Sequence, residues 1–536
     1  MDDRRRAQLG FYGPVLAAAA TSLALLLPYL RDRIMQRDEA LALMIARRPL
    51  GELLETVQLV RGGAPVHFLL TSLVAHAGGG LSATRALSAL FLAVAVVATG
   101  LLGRALFGPI EGVVGAWAVA VSPVALFYGE FARMYSLFLA LSTLALWALV
   151  RALDTDDGRW WAAVAVLLVL DVWSHPYGVV VGLIAGGATV AMLVQRRREP
   201  GILRKPLLTG VGVLVGTAPL AVGYLVLASR LGQVKTPASR AIPKPSLGGV
   251  IHQASAHFLG VPRSGGWVLA YLLAAVALAA VGLVFAYRAD RVRGVLLTLW
   301  LVFPVLTLAV VRLPNTSNHV RYVIEALPAL VLLVAHGAVV LGRRAGTRGA
   351  LAAGLAVGVA LVAVDLGRGS ALADYKYRNQ MTAADRFAVS RDTAYLREEF
   401  APQDLFFGYD EAFAYGVVDP GPNAALGSAR GVARSEGPLV VRSLERLHGP
   451  IDHGWYVALA HNPGRLAAFE RDLGAGFAVR RIGPWVLVHT TRGGLSKGAF
   501  LQAAARVFSA ADTELGDPNA PTTRTAVGDA LPSFTP

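Results

Sequence analysis

Of 536 residues, 55% are hydrophobic and none is cysteine, which excludes disulfides and thiolate metal centres. The apolar excess falls in blocks of about 18–22 residues, long enough to cross about 30 Å of hydrocarbon, so a soluble protein is excluded and a polytopic membrane protein is expected. The net charge of +15, from 50 basic and 35 acidic residues, is read as a topology signal and affinity for anionic lipid, not for nucleic acid.

The chain opens with Arg4, Arg5 and Arg6 before an apolar run at 10–30. That run is too long for a signal peptide and lacks a small-residue cleavage site, so an uncleaved anchor with a cytoplasmic N-terminus is expected. Further spans are expected at 84–106, 110–128, 134–151, 160–175, 177–195, 207–229, 267–287, 294–312, 322–341 and 349–366, about eleven in all. The loops placed inside carry Arg104, Arg151, Arg159, Arg196 to Arg198, Arg204, Lys205, Arg288, Arg291, Arg293, Arg343, Arg344 and Arg348, as the positive-inside rule requires. Two longer outward loops, 31–83 and 230–266, are also basic and are read as having work to do outside.

The first of these loops holds Asp38 and Glu39 among arginines, then an amphipathic piece at 50–60 and a short apolar one at 65–77, which are read as interfacial helices. Past residue 366 charge returns, and strand-like runs ("DLFFGYD", "PWVLVHT") alternate with helical ones ("PGRLAAFERDL"). The expected domains are a membrane domain at 1–366, a small extracytoplasmic α/β domain at 367–492, and a helix with a disordered tail at 493–536. The fold class is therefore mostly α, a polytopic helical bundle with a small α/β C-terminal domain.

Five stretches carry residues with chemistry. Asp38 and Glu39 are either a solvated interfacial pair or a general base at the membrane surface, with a pKa raised by burial and lowered by arginines. Glu130 and Arg133 stand three apart at a helix start; they are either an ordinary ion pair or the lining of a cavity. Asp171 lies inside a span with His175 one turn on. An unpaired Asp there is costly, so it faces a polar interior, with an Asp–His hydrogen bond as the bland alternative. Arg321 and Tyr322 begin a late span, either as an interfacial anchor or as a phosphate-binding pair, with buried Glu325 placed to orient Arg321. The loop with Lys235, Arg240 and Lys244 is a flexible basic segment or a flap over a phosphate.

The motifs occur in a familiar order. "RDEA" (37–40), "LFG" (106–108), "SP…YGEFARMY" (122–135) and "VRYVIEALPALVLL" (320–333), with "SHPYG" (174–178) as a softer fifth, resemble the GT-C superfamily of polyprenyl-phosphate-sugar-dependent glycosyltransferases. The likeness is to the family 39, protein O-mannosyltransferase and aminoarabinose transferase-like branch, and it covers about residues 10–345. The resemblance implies a polyprenyl-phosphate sugar as donor and an extracytoplasmic hydroxyl of a glycan, lipid or protein as acceptor. Asp38, with Glu39 beside it, would match the catalytic acidic position, and Arg133 and Arg321 would match residues near the donor phosphate. Several relatives carry an Asp soon after the second-loop arginine where this chain has Tyr135. That departure argues against a second catalytic carboxylate and against a bound metal, so no cofactor is expected. Inverting transfer needs a base for the acceptor and cations for the departing phosphate, which Asp38 and the arginines would supply. Two rival classes are a lipid-linked-sugar transporter, which should show internal repeats or paired broken helices, and a non-catalytic scaffold.

Overall fold

The computed structural model describes residues 3–32, 37–60, 64–231, 266–310, 320–366, 399–401, 403–408, 440–441, 444–445, 447–483, 485–518 and 520–535. The chain divides into two units. The first comprises residues 1–32, 54–70 and 82–376; the second comprises 33–53, 71–81 and 377–536.

The first unit is helical. Its helices are α1 (Asp3–Leu26), α5 (Leu81–Leu106), α6 (Pro109–Val121), α7 (Pro123–Gly129), α8 (Tyr135–Thr155), α9 (Gly158–Ser174), α10 (Gly178–Gln195), α11 (Arg204–Leu231), α12 (Gly266–Ala289), α13 (Arg291–Val310), α14 (Leu327–Arg343) and α15 (Gly346–Leu366). Between α1 and α5 the chain forms three shorter helices, α2 (Arg37–Ala46), α3 (Leu50–Val60) and α4 (Val66–His76). Every segment expected to span carries a helix. Among the described residues seven are long and apolar enough to cross a membrane, or eight if one bent pair is a single span. The bent pair is α6 and α7, where the expected span at 110–128 turns by 60°. Pro123 at the first position of α7 has no N–H to continue the α6 ladder, so the helix breaks there.

Burial ranks the helices. The span Arg321–Arg343 is 94% buried while Arg204–Gly223 is 11% buried, so α14 is central and α11 peripheral. Small residues permit the close approaches. A Cβ on Gly337 would overlap the Leu278 carbonyl, and one on Gly282 the Leu333 carbonyl, so α12 and α14 touch backbone to backbone. In lipid such contacts replace the hydrophobic drive between helices.

In the second unit, β1 (Leu405–Gly408), β2 (Gly454–Leu459), β3 (Phe477–Ile482) and β4 (Trp485–Thr490) form a sheet of order β1-β2-β4-β3. β1 and β2 are parallel and the other pairs antiparallel. Alternation places Leu405, Phe407, Tyr456, Ala458, Val486 and Val488 in one core with Phe500, Leu501, Ala504 and Phe508 of α17 (Lys497–Ala510). Tyr456 donates its hydroxyl to the Phe500 carbonyl at 2.9 Å. Short α16 (Leu466–Leu473) adds Phe469 and Leu473. The tail expected to be disordered is instead helical at α18 (Ala520–Ala530). Its Pro and Thr content hides a helical apolar stripe: Ala520, Thr523, Ala526, Val527 and Ala530 are all buried.

Candidate functional site

The break after α7 sets the site. Residues 130–134 leave the helix in tight turns, and α8 restarts at Tyr135. Glu130 and Arg133 are thereby buried, 1% and 4% exposed. Arg133 lies over the Phe68 ring of α4 at 5.7 Å. Next to Phe68, His67 is fully buried and bonds the backbone of Ala132. Burial first, and the Arg133 charge second, push its pKa down to about 3, so it stays neutral.

His175 closes α9, and its Nδ1 accepts the Tyr177 N–H at 3.2 Å, which leaves the ring proton on Nε2. Its ring stacks on Phe138 at 4.7 Å and lies 5.8 Å from Tyr135 and 5.7 Å from Tyr322. Tyr177 stacks on Tyr322 at 5.5 Å and 10°. Tyr322 stands in a 3₁₀ segment, Val320–Ala326, ahead of α14. From the same segment the Arg321 guanidinium sits 5.6 Å over Tyr135 and 5.1 Å over Tyr322. Both Arg321 and Arg133 are close enough to His175 to act on it electrostatically. Two guanidiniums, an imidazole and three tyrosines thus meet where α8 begins, α9 ends and α14 begins. Such a cluster suits an anion with several oxygens: the planar guanidinium pairs with two of them at once, and ring faces hold it in place.

Just deeper, Asp171 is fully buried and accepts the Ser142 hydroxyl at 3.0 and 3.1 Å, so its side-chain partner is Ser142 rather than His175. Glu325 is fully buried, and among the described residues neither carboxylate oxygen bonds another residue, so the expected orienting bond to Arg321 is not made. Its backbone carbonyl accepts the Trp300 indole N–H at 2.7 Å.

Asp38 and Glu39 occupy the first turn of α2, in the second unit, with Asp38 half-buried and Glu39 fully buried. Carboxylates there complement the positive end of the helix dipole. Lys235, Arg240 and Lys244 lie outside the described residues. Among the described residues no group of three or more His, Asp or Glu is placed to hold a metal. His67, Phe68 and Tyr177 were not singled out from the sequence. The one available signal was His67 as the lone ionisable group in the run "PVHFLL".

Residues 63–222 match the family model of dolichyl-phosphate-mannose-protein mannosyltransferases, a stretch that contains Arg133 and His175 but neither Asp38 nor Arg321. No curated protein matches the chain. Among solved structures, ArnT from Cupriavidus metallidurans bound to undecaprenyl phosphate aligns at TM-score 0.56 and 15% identity, over 90% of this chain and 98% of that one. The oligosaccharyltransferase of Archaeoglobus fulgidus in its apo form aligns at 0.51 and 13%, over 84% and 69%. Archaeal AglB from the same organism, in complex with an inhibitory peptide and a dolichol-phosphate, aligns at 0.50 and 12%, over 89% and 74%. At these identities the likeness is one of fold, and the fold is that of the GT-C glycosyltransferases, as the motif order led one to expect.

Proposed function

We propose that this chain, a multi-pass membrane protein with the GT-C fold, is a glycosyltransferase that moves a sugar from a polyprenyl-phosphate donor to an acceptor hydroxyl with inversion. The observation that carries the reading is the Arg321 guanidinium set over the Tyr135 and Tyr322 rings that flank His175, with buried Arg133 acting on the same imidazole. The family match over 63–222 and a fold relative bound to undecaprenyl phosphate support it.

The donor phosphate binds between the two guanidiniums, and its tail lies among the apolar helices. Asp38 takes the proton of the acceptor hydroxyl, with Glu39 holding the helix start. The acceptor oxygen bonds to the anomeric carbon as the carbon–oxygen bond to phosphate breaks, and polyprenyl phosphate leaves. Charge grows on that phosphate during the step, so the arginines bind the transition state more tightly than the ground state. The acceptor is a hydroxyl of a glycan, lipid or protein. With the N-terminus in the cytoplasm, the reaction faces the extracytoplasmic side.

The test is incubation of purified protein with radiolabelled polyprenyl-phosphate sugars and membrane extract, wild type beside Asp38→Asn. Wild type labels an acceptor. The variant binds donor but transfers about three powers of ten more slowly, each power worth about 1.4 kcal/mol of barrier. Near-normal turnover in the variant removes Asp38 as the base, and no labelling from any donor removes the transferase reading.

A further inference from the structure

The stretch "SHPYG" (174–178) forms the turn between α9 and α10, and its residues together set one imidazole. His175 is extended, at φ −151° and ψ 134°, as the residue before a proline prefers. The Gly178 N–H closes the turn on the His175 carbonyl at 2.9 Å. A Cβ at Gly178 would overlap the Asp171–Val172 peptide, so the turn folds back on α9 only with glycine there. Pro176 has no N–H, so the first one after His175 belongs to Tyr177, and that one reaches Nδ1 at 3.2 Å.

Nδ1 therefore accepts, and the neutral ring carries its one proton on Nε2. The residue is 2% exposed, with one ring face stacked on Phe138. Among the described residues the Nε2–H has no hydrogen-bond acceptor. A buried donor left unmade is costly, so an acceptor belongs there when the site is filled. The neighbours say what kind. Tyr135 and Tyr322, 5.8 and 5.7 Å from the imidazole, are the rings over which the Arg321 guanidinium lies, and Arg133 acts on the same imidazole. Two cations beside a neutral N–H suit an anionic oxygen.

We propose that His175 is a catalytic residue whose Nε2–H donates a hydrogen bond to the phosphate oxygen that the anomeric carbon leaves. This rests on the transferase reading and adds a neutral donor to its arginines. No proton moves through the imidazole. The acceptor proton goes to Asp38, the carbon–oxygen bond breaks with its electron pair on the phosphate oxygen, and polyprenyl phosphate departs. Because backbone fixes the tautomer, the N–H is aimed before charge appears, which is what makes such a contact stronger in the transition state. Tyr177 serves twice. Its N–H sets the tautomer, and its ring, stacked on Tyr322 at 5.5 Å, backs the ring under Arg321.

The test sets wild type beside His175→Asn and His175→Gln in two assays, with melting curves to verify that both variants fold. Asparagine keeps an acceptor for the Tyr177 N–H but puts no N–H at the Nε2 position; glutamine puts one there. The first assay is binding of undecaprenyl phosphate, which carries the fully developed charge and needs no transfer. His175→Asn binds it about tenfold more weakly than wild type, and His175→Gln within about threefold. The second is the initial rate of transfer from a radiolabelled polyprenyl-phosphate sugar. His175→Asn lowers kcat about 100-fold with the donor KM nearly unchanged, and His175→Gln recovers most of the loss. Wild-type binding and turnover in His175→Asn overturn the inference and leave the transferase reading standing. Equal losses in both variants overturn it too, because the ring and not its N–H then matters. If wild type turns over no donor, the transferase reading falls, and the binding of undecaprenyl phosphate by the two variants alone decides whether His175 donates to phosphate.

Discussion

Arg321 donates from Nη2 to the hydroxyl of its neighbour Tyr322 at 3.2 Å while its guanidinium lies over the Tyr322 ring at 5.1 Å. Adjacent residues rarely hold each other this way, because helical or extended backbone points their side chains apart. Here the 3₁₀ segment carries a non-helical Val323 (φ −123°, ψ 21°), and the chain turns enough to bring both to one side. The result is a guanidinium fixed between the Tyr135 and Tyr322 rings.

That fixation makes Arg321 the more telling of the two arginines to change. Arg321→Ala is expected to lower kcat/KM for the donor about 100-fold, the usual cost of one preorganised donor to a developing oxyanion. Arg321→Lys keeps the charge but loses the planar fork, and should fall between. Initial rates against donor concentration decide it; unchanged kcat and KM in Arg321→Ala would reduce the residue to an interfacial anchor.

Glu325 points to a different outcome. Its buried carboxylate bonds no other residue among the described ones, so it ties no second element into the fold. Glu325→Met, of similar volume, is expected to leave stability unchanged or raise it by up to about 3 kcal/mol. Thermal melting in detergent reads this. Marked destabilisation contradicts this, and a stable but inactive variant identifies a residue kept for function.

His67 carries a pH signature. Its folded pKa of about 3 lies below the ordinary 6.5 because burial, and then Arg133, disfavour the imidazolium. A depressed folded pKa means the contribution is whole above pH 6.5 and is lost as pH falls toward 3, since the unfolded chain takes up the proton first. Melting temperature followed from about pH 7 down to about pH 4 should therefore fall more steeply in wild type than in His67→Phe. Parallel curves for the two proteins count against a buried neutral imidazole.

The α12–α14 contact is tested by one methyl group. Gly337→Ala drives a Cβ into the Leu278 carbonyl and is expected to cost more than about 2 kcal/mol. Gly182→Ala on α10 meets nothing within 4 Å and should be neutral or slightly stabilising. Expression and melting of the pair give the comparison; equal behaviour would mean the two helices stand further apart.

The candidate site was legible in part. Arg133, His175, Arg321 and Tyr322 were visible because ionisable or aromatic groups at span ends are few against an apolar background. The partners they take were not visible. Helical spacing offered Asp171 a bond to His175 as one alternative, yet Ser142 from α8 reaches it across a helix interface. Glu325 looked placed for Arg321 at four residues' distance, but the 3₁₀ turn with its kink changes the spacing on which that reading relied. The tail was misread because composition outweighed the spacing of Ala520, Thr523, Ala526 and Val527.

What the sequence determined by itself was where the apolar helices lie and in what order the motifs come. Hydropathy over about 20 residues is a property of one segment in lipid and needs no neighbour. Which faces those helices turn to one another was decided only by tertiary packing. Glycine contacts, the Pro123 bend and the Val323 kink set the rotation and offset of each helix, and a few degrees there decide whether Arg133 and Arg321 meet at His175 or point into lipid.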